Sequence, residues 1–293
     1  MRRTLLVAMA CAALAHAACA PQPPAPPAGS TQTRFPIVLA EGLFGFNFIN
    51  IAEDLRAGGA MVFTTEVDPF NDNVTRAQQL TSQIRAILAQ TGATRVNLFA
   101  HSQGGLDGRV ILAQNPELLA SLTQVASPNT GSPVADSLLP MDDGALQFVI
   151  DFISIAGGEP GNAADLRVAL TQLSAAGMTQ FNAQFPAGLP STPCGTNGSR
   201  MVNGVPLFSF GGNQVSTNGG DIGDPVLLLT SINFTEPNDG LVAVCATHFG
   251  QVIQDNLRAN HLDFVNQIGG AVGADPPFML YRAQAARLRD MGL

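Results

Sequence analysis

Residues 96–105 read Val-Asn-Leu-Phe-Ala-His-Ser-Gln-Gly-Gly, an apolar run that ends abruptly at a serine set among small residues. The run has the length of a buried strand, and the segment after it is compatible with a helix. A serine at such a junction stands clear of the sheet only if the chain turns very sharply. That turn tolerates almost no side chain two positions before or after the serine, and Ala100 and Gly104 meet the demand around Ser102. The pattern is that of a nucleophile elbow. Ser102 as an ordinary helix N-cap is the plainer alternative, but the strand before it and the helix after it supply the context that an elbow needs.

The flanking sequence alternates between strands and helices. Residues 35–40 read as a short apolar strand that runs into the loop Glu41-Gly42-Leu43-Phe44-Gly45, residues 52–57 as a helix start, and residues 60–67 as a second strand. Over residues 76–90, Leu80, Ile84, Ile87 and Leu88 recur at helical spacing, and Gly92 closes the segment. Beyond the elbow a helix is predicted over about 105–113 and a strand over 121–126. Strand-helix alternation implies a parallel sheet with right-handed crossovers, in which ligands bind beyond the carboxyl ends of the strands. Both the Gly42 loop and Ser102 fall there.

With 293 residues, 46% hydrophobic and 12% charged, the chain can bury one large α/β core, and no repeat or change of composition divides it after residue 35. All 14 basic residues are Arg and the formal charge is −8, a balance that argues against a nucleic-acid partner. Residues 1–17 resemble a secretory signal: Met1-Arg2-Arg3 is a basic head, and residues 5–15 form an apolar run too short to span a bilayer. Cleavage after Ala17 gives a secreted protein that passes through the periplasm, and lipid attachment at Cys19, with His16 an ill-fitting residue three places before it, gives an outer-membrane lipoprotein instead. Residues 18–34 read as a Pro-rich extended linker and residues 35–293 as the catalytic domain. Once Cys11 and Cys19 leave with the signal, Cys194 and Cys245 form an even pair in an oxidising compartment, which predicts a disulfide.

Residues 137–160 carry Leu138, Leu139, Leu146, Phe148, Val149, Ile150, Phe152, Ile153 and Ile155, more apolar surface than a solvent-facing helix needs. The segment reads as a helical lid over the site or as a core helix, and its place after the elbow favours the lid. A serine hydroxyl needs a base, and the base an orienting carboxylate. His261, in Asn260-His261-Leu262-Asp263 on a late loop, is the expected base, with His248 the competing choice and His101 pointing away from the Ser102 hydroxyl. Asp239, in Asn238-Asp239-Gly240, is the expected acid, although the triplet is a turn signal in its own right and Asp221 and Asp224 also lie between serine and histidine. The backbone N–H groups of Leu43 and Gln103 are the expected oxyanion donors.

Taken together, these segments resemble one family, the secreted true lipases of Pseudomonas and Burkholderia type (subfamilies I.1 and I.2). The resemblance rests on residues 35–46, the elbow at 96–105, Asn238-Asp239-Gly240-Leu241-Val242 and residues 260–267, and it extends over most of residues 35–293. It implies an α/β-hydrolase fold: a mostly parallel central sheet with helices on both faces and a helical lid. It also implies triacylglycerol hydrolysis, the Cys194–Cys245 disulfide, and a structural calcium held by Asp221, Asp263, Gln267 and a carbonyl near Ala271, with Asp224 the rival of Asp221. Many members need a membrane-anchored folding chaperone, the one protein partner that the resemblance suggests; the other partner is the lipid or ester substrate, met at an oil–water interface. This chain departs from the family pattern in three places. Glu41 stands where the family has His, Ala100 where it has Gly, and the lid segment is short. A short-chain esterase or an extracellular polyester depolymerase is the competing activity, and an inactive lipid-binding lipoprotein the competing reading of another class.

Overall fold

A computed structural model describes residues 23–155 and 157–293. The expected signal and the alternatives at Ala17 and Cys19 lie outside the described residues. In chain order the elements are β1 (Ile37–Ala40), α1 (Ile51–Ala57), β2 (Val62–Thr65), α2 (Asn73–Thr91), β3 (Val96–His101), α3 (Gln103–Gln114), β4 (Leu119–Val125), α4 (Pro133–Leu138), α5 (Asp143–Ile155), α6 (Ala163–Leu173), α7 (Ala175–Gln184), β5 (Met201–Val202), β6 (Val205–Gly212), α8 (Asp224–Ser231), β7 (Gln251–Leu257) and α9 (Pro277–Asp290).

Six strands run parallel in the order β2-β1-β3-β4-β6-β7, and the short β5 pairs antiparallel with β6. Every residue of β3, β4 and β6 is buried, which is why these strands read as unbroken runs rather than alternating ones. Helices pack around the sheet, with α2 against α3 and α1 against α9. The fold is the α/β-hydrolase fold that the sequence implied.

Element boundaries follow local chemistry. Helix α2 begins three residues before its apolar periodicity because Asp72 caps it, accepting the Val74 and Thr75 N–H groups. It ends at Gly92, whose φ of 69° is the left-handed stop that glycine favours. The end of the predicted linker is packed on the domain. Thr31 is fully buried and donates to the Leu55 carbonyl, and Arg289 donates to the Ser30 carbonyl. Composition alone concealed this, because a Pro-rich stretch gives no periodicity even where it lies against a core.

In the predicted lid, α5 is two-faced: Leu146 and Ile150 are buried while Phe148 is 72% exposed and Phe152 43%. Cys194 and Cys245 form a disulfide that ties the loop before β5 to the chain entering β7.

Candidate active site

Ser102 sits between β3 and α3 with φ 53° and ψ −126°, a conformation that few residues other than glycine adopt. Its N–H donates to the Val125 carbonyl of β4, so the sheet holds the strained turn in place. The small neighbours are needed for contact reasons. A Cβ on Gly104 would lie 2.5 Å from the Glu41 carbonyl oxygen, and one on Gly42 would lie 2.6 Å from the Ser102 Cβ. The Gly42 loop therefore rests directly on the serine and on the first turn of α3.

His261 and Asp239 complete a hydrogen-bonded relay. The His261 Nε2 lies 2.9 Å from Ser102 Oγ, and its Nδ1 lies 2.8 Å from Asp239 Oδ2. Because a carboxylate only accepts, Nδ1 carries the proton and Nε2 is left to accept from the serine hydroxyl. Asp239 is wholly buried, and its Oδ1 accepts from the Leu241 and Val242 N–H groups, the reason for the tight Asn-Asp-Gly turn. The backbone N–H of His261 also donates to the Asp239 carbonyl, so acid and base loops are joined twice. All three residues, 22 and 159 positions apart along the chain, meet beyond the carboxyl ends of parallel strands.

The base loop is itself a reciprocal cap. The Asn260 side chain accepts from the Leu262 and Asp263 N–H groups while Asp263 Oδ2 accepts from the Asn260 N–H. The competing choices are engaged elsewhere. His248 bonds the Gly195 carbonyl through Nδ1 and Asp255 through Nε2, which fastens the disulfide loop to β7. The Asp224 carboxylate accepts from Ser216, Thr217, Asn218 and Asn260, and Asp221 accepts from Gly223 and Asn260, so neither bonds His261.

Leu43 opens a short 3-10 turn after β1, and Gln103 is the first residue of α3. Backbone N–H groups at such positions have no helical acceptor, and neither donates to another group among the described residues. The Gln103 side chain is held away by the Asn71 carbonyl and Asn73. Glu41 turns away from the serine: its Oε1 accepts from the Val67 N–H at 3.0 Å, and burial pushes its pKa up to about 7. It is thus the turned-away, partly neutral carboxyl that the site can tolerate.

Sequence reasoning missed Arg76, Asp107 and the contact that His101 makes. His101 does point away from the serine, but its Nε2 donates to the His261 carbonyl at 3.0 Å, and burial followed by the adjacent His261 keeps its pKa well below the usual imidazole range. Arg76, fully buried, pairs with Asp107 on α3 at 2.9 Å and reaches the Gly42 loop. The signal available was an arginine on the apolar stripe, four places before Leu80, and a solvent-facing position was the natural assumption for it.

The carboxylates around Asp263 suit the calcium that the resemblance implies. Asp263 Oδ1 is buried with no hydrogen-bond partner, and the Asp263 pKa is pushed up to about 7 by burial and then by the Asp221 charge. Two buried carboxylates that repel one another, one with an orphan oxygen, fit a hard divalent cation. Asp224 is spent on its own loop. Gln267 donates from Nε2 to the Asn47 carbonyl, and Ala271 is buried close by in sequence. A second group, Cys194, Glu236 and Cys245, brings three donor atoms within 4.8 Å of one another, but the sulfurs are joined as a disulfide and offer no thiolate.

No family model matches the chain. Among curated proteins it is 38% identical to a triacylglycerol lipase of Vibrio cholerae over 284 residues, covering 90% of this chain and 91% of that one. The chain belongs to the bacterial triacylglycerol lipase family. It is also 36% identical to the triacylglycerol lipase of Pseudomonas fragi, covering 90% and 99%, and 32% identical to that of Burkholderia plantarii, covering 89% and 87%. The fold matches a lipase of Bacillus licheniformis in its mature form with a TM-score of 0.61 at 19% identity, covering 91% of this chain and 96% of that one. A metagenomic carboxyl esterase matches equally, with a TM-score of 0.61 at 18% identity, covering 92% and 79%. Family membership makes this a lipase or carboxylic ester hydrolase.

Proposed function

We propose that this lipase-family chain hydrolyses triacylglycerols through Ser102, His261 and Asp239, and that it is of the Pseudomonas and Burkholderia type, subfamily I.1 or I.2. The observation that carries the reading is the unbroken relay from Asp239 through His261 to the Ser102 hydroxyl. As Ser102 Oγ attacks the ester carbonyl carbon, its proton passes to His261 Nε2, and Asp239 stabilises the imidazolium that forms. The carbonyl oxygen becomes an oxyanion, met by the Leu43 and Gln103 N–H groups. The intermediate then expels the alcohol, which takes the proton from His261, and leaves an acyl group on Ser102. Water enters, gives its proton to His261 and displaces the fatty acid by the same steps in reverse order.

The exposed Phe148 and Phe152 on α5 support a lid role, since a lid needs one face packed on the site and another that tolerates an oil surface. Asp221 and Asp263 would hold calcium, with Gln267 and the carbonyl near Ala271 completing the oxygen set. When bound, the ion supplies charge that offsets the two carboxylates and fixes the loop carrying His261. Export with removal of residues 1–17 is proposed too, supported by the Cys194–Cys245 disulfide, which suits an oxidising compartment. A membrane-anchored folding chaperone follows from the subfamily reading alone.

The test is Ser102→Ala in protein whose near-UV circular dichroism is unchanged. Hydrolysis of a p-nitrophenyl ester should vanish, and full residual activity would reject the assignment. A series of ester chain lengths, with and without emulsion, separates a lipase from a short-chain esterase or polyester depolymerase.

A further inference from the structure

We propose that Arg76 is a positioning residue for the oxyanion donors, and that its ion pair with Asp107 locks together the two segments that supply them. The inference rests on the reading of Leu43 and Gln103 as those donors. Arg76 lies in the first turn of α2 and is fully buried, as is Asp107. Burying a guanidinium is strongly unfavourable unless its donors are matched. Here they are. Nε donates to Asp107 Oδ2 at 2.9 Å, Nη1 to the Asp68 carbonyl at 2.5 Å, and Nη2 to the Glu41 carbonyl at 2.9 Å and the Gly42 carbonyl at 3.4 Å.

Two consequences follow from covalent geometry. The Gly42 carbonyl and the Leu43 N–H belong to one planar, trans peptide group and point in opposite directions. The oxygen is held at 3.4 Å by both Arg76 and the Gly45 N–H, and holding it there aims the Leu43 N–H the other way. A rotation of that peptide would instead present a carbonyl oxygen to the developing negative charge. The hydrogen bond from a cation also polarises the peptide and strengthens its N–H as a donor.

Asp107 anchors the other end of the guanidinium. It lies one turn after Gln103 on α3, so the guanidinium bridges the Leu43 peptide to the helix that presents Gln103. Contact between the two segments is already tight, since a Cβ on Gly104 would fall 2.5 Å from the same Glu41 oxygen that Arg76 holds. The neighbouring carboxyls are engaged elsewhere: Glu41 accepts from Val67, Asp72 from Val74 and Thr75 at the helix end, and Asp68 from Phe70 and Asn71. Asp107 is thus the carboxylate that fixes the guanidinium in the plane its four acceptors require.

The test uses Arg76→Lys, which keeps the charge but loses the planar fork that spans Asp107, Asp68 and the loop. On a soluble p-nitrophenyl ester, kcat should fall about 10- to 100-fold while KM stays within about twofold. Affinity for an alkylboronic acid, which forms a tetrahedral adduct, should fall by the same factor as kcat/KM. Asp107→Asn, which keeps an acceptor for Nε, should stay within about threefold of the parent, while Asp107→Ala should fall with Arg76→Lys. Folded Arg76→Lys or Asp107→Ala with unchanged kcat, or a loss expressed in KM alone, would overturn the proposal. Should neither variant fold, a crystal structure of the boronate adduct of the unaltered enzyme decides. Arg76 on the Gly42 carbonyl with Leu43 N–H on the adduct oxygen supports the proposal, and Arg76 swung away from the loop ends it. Ser102→Ala run in parallel keeps the two readings apart. An inactive Ser102→Ala beside a fully active Arg76→Lys removes only this inference, whereas an active Ser102→Ala removes the reading beneath it.

Discussion

The substitution Gly42→Ala puts the architecture of the site under direct load. A methyl group there would lie 2.6 Å from Ser102 Cβ, 3.1 Å from the His101 carbonyl oxygen and 3.2 Å from Ser102 Oγ. Its nearest contact falls about 0.8 Å short of ordinary van der Waals distance, and the Ser102 backbone cannot give way because β4 holds its N–H. The φ of Gly42 is −97°, which any residue adopts, so the cost is steric rather than conformational. The loop itself must therefore retreat by most of an ångström and carry the Leu43 N–H with it. A misplacement of that size is worth roughly 100-fold in kcat, against about 1–3 kcal/mol in stability for overpacking. Steady-state kinetics on a soluble p-nitrophenyl ester, paired with thermal unfolding, separates the two. Gly92→Ala is the control. A Cβ there meets nothing within 4 Å but must adopt a φ of 69°, so it should cost about 1 kcal/mol and leave kcat untouched. A folded Gly42→Ala enzyme with the parent kcat would refute the reasoning that this loop and the serine share one fixed geometry.

Asp239→Asn, which cannot stabilise the imidazolium, should lower kcat by roughly 10⁴-fold with little change in unfolding temperature. Replacing Cys194 and Cys245 together by serine opens a closure of 51 residues and should cost about 4 kcal/mol, measured by urea unfolding with and without reductant. Glu41 has its pKa raised by burial from 4.5 to about 7, so the folded state holds its proton more tightly than the unfolded state does. Its contribution is full below pH 4.5 and is lost as pH rises toward 7. Glu41→Gln, which keeps an acceptor for Val67 and cannot ionise, should gain on the parent by about 2–3 kcal/mol between pH 4.5 and 8, and a pH-independent difference would contradict this. Chelation with EGTA should lower the unfolding temperature and slow turnover, with recovery on adding calcium but not in Asp263→Asn.

Much of the site was legible because its chemistry needs residue types that few other settings require. A serine between Ala100 and Gly104 at the end of an apolar strand has one economical geometry, and the turn around Asp239 announces itself in Asn-Asp-Gly. That the core strands run parallel follows from the alternation of elements, while their order in the sheet does not. What stayed hidden depends on partners distant in the chain. Arg76 reads as an outward-facing helix residue until Asp107, 31 positions later, is seen to neutralise it. His101 gains its role only from the carbonyl of His261, 160 positions away. The packing of Thr31 on Leu55 was equally invisible, because a single buried hydroxyl leaves no pattern in a Pro-rich segment. The faces of α5 were ambiguous for a different reason: apolar residues occur all around that helix, so periodicity does not say which are covered.

Covalent labelling of the folded protein, in buffer containing calcium, with an alkylphosphonate ester tests the central claim most directly. Mass spectrometry should find one phosphonyl group per chain, on the peptide that carries Ser102, and none on the Ser102→Ala variant. A folded and active enzyme that takes up no label, or that carries it on another serine, would contradict the account.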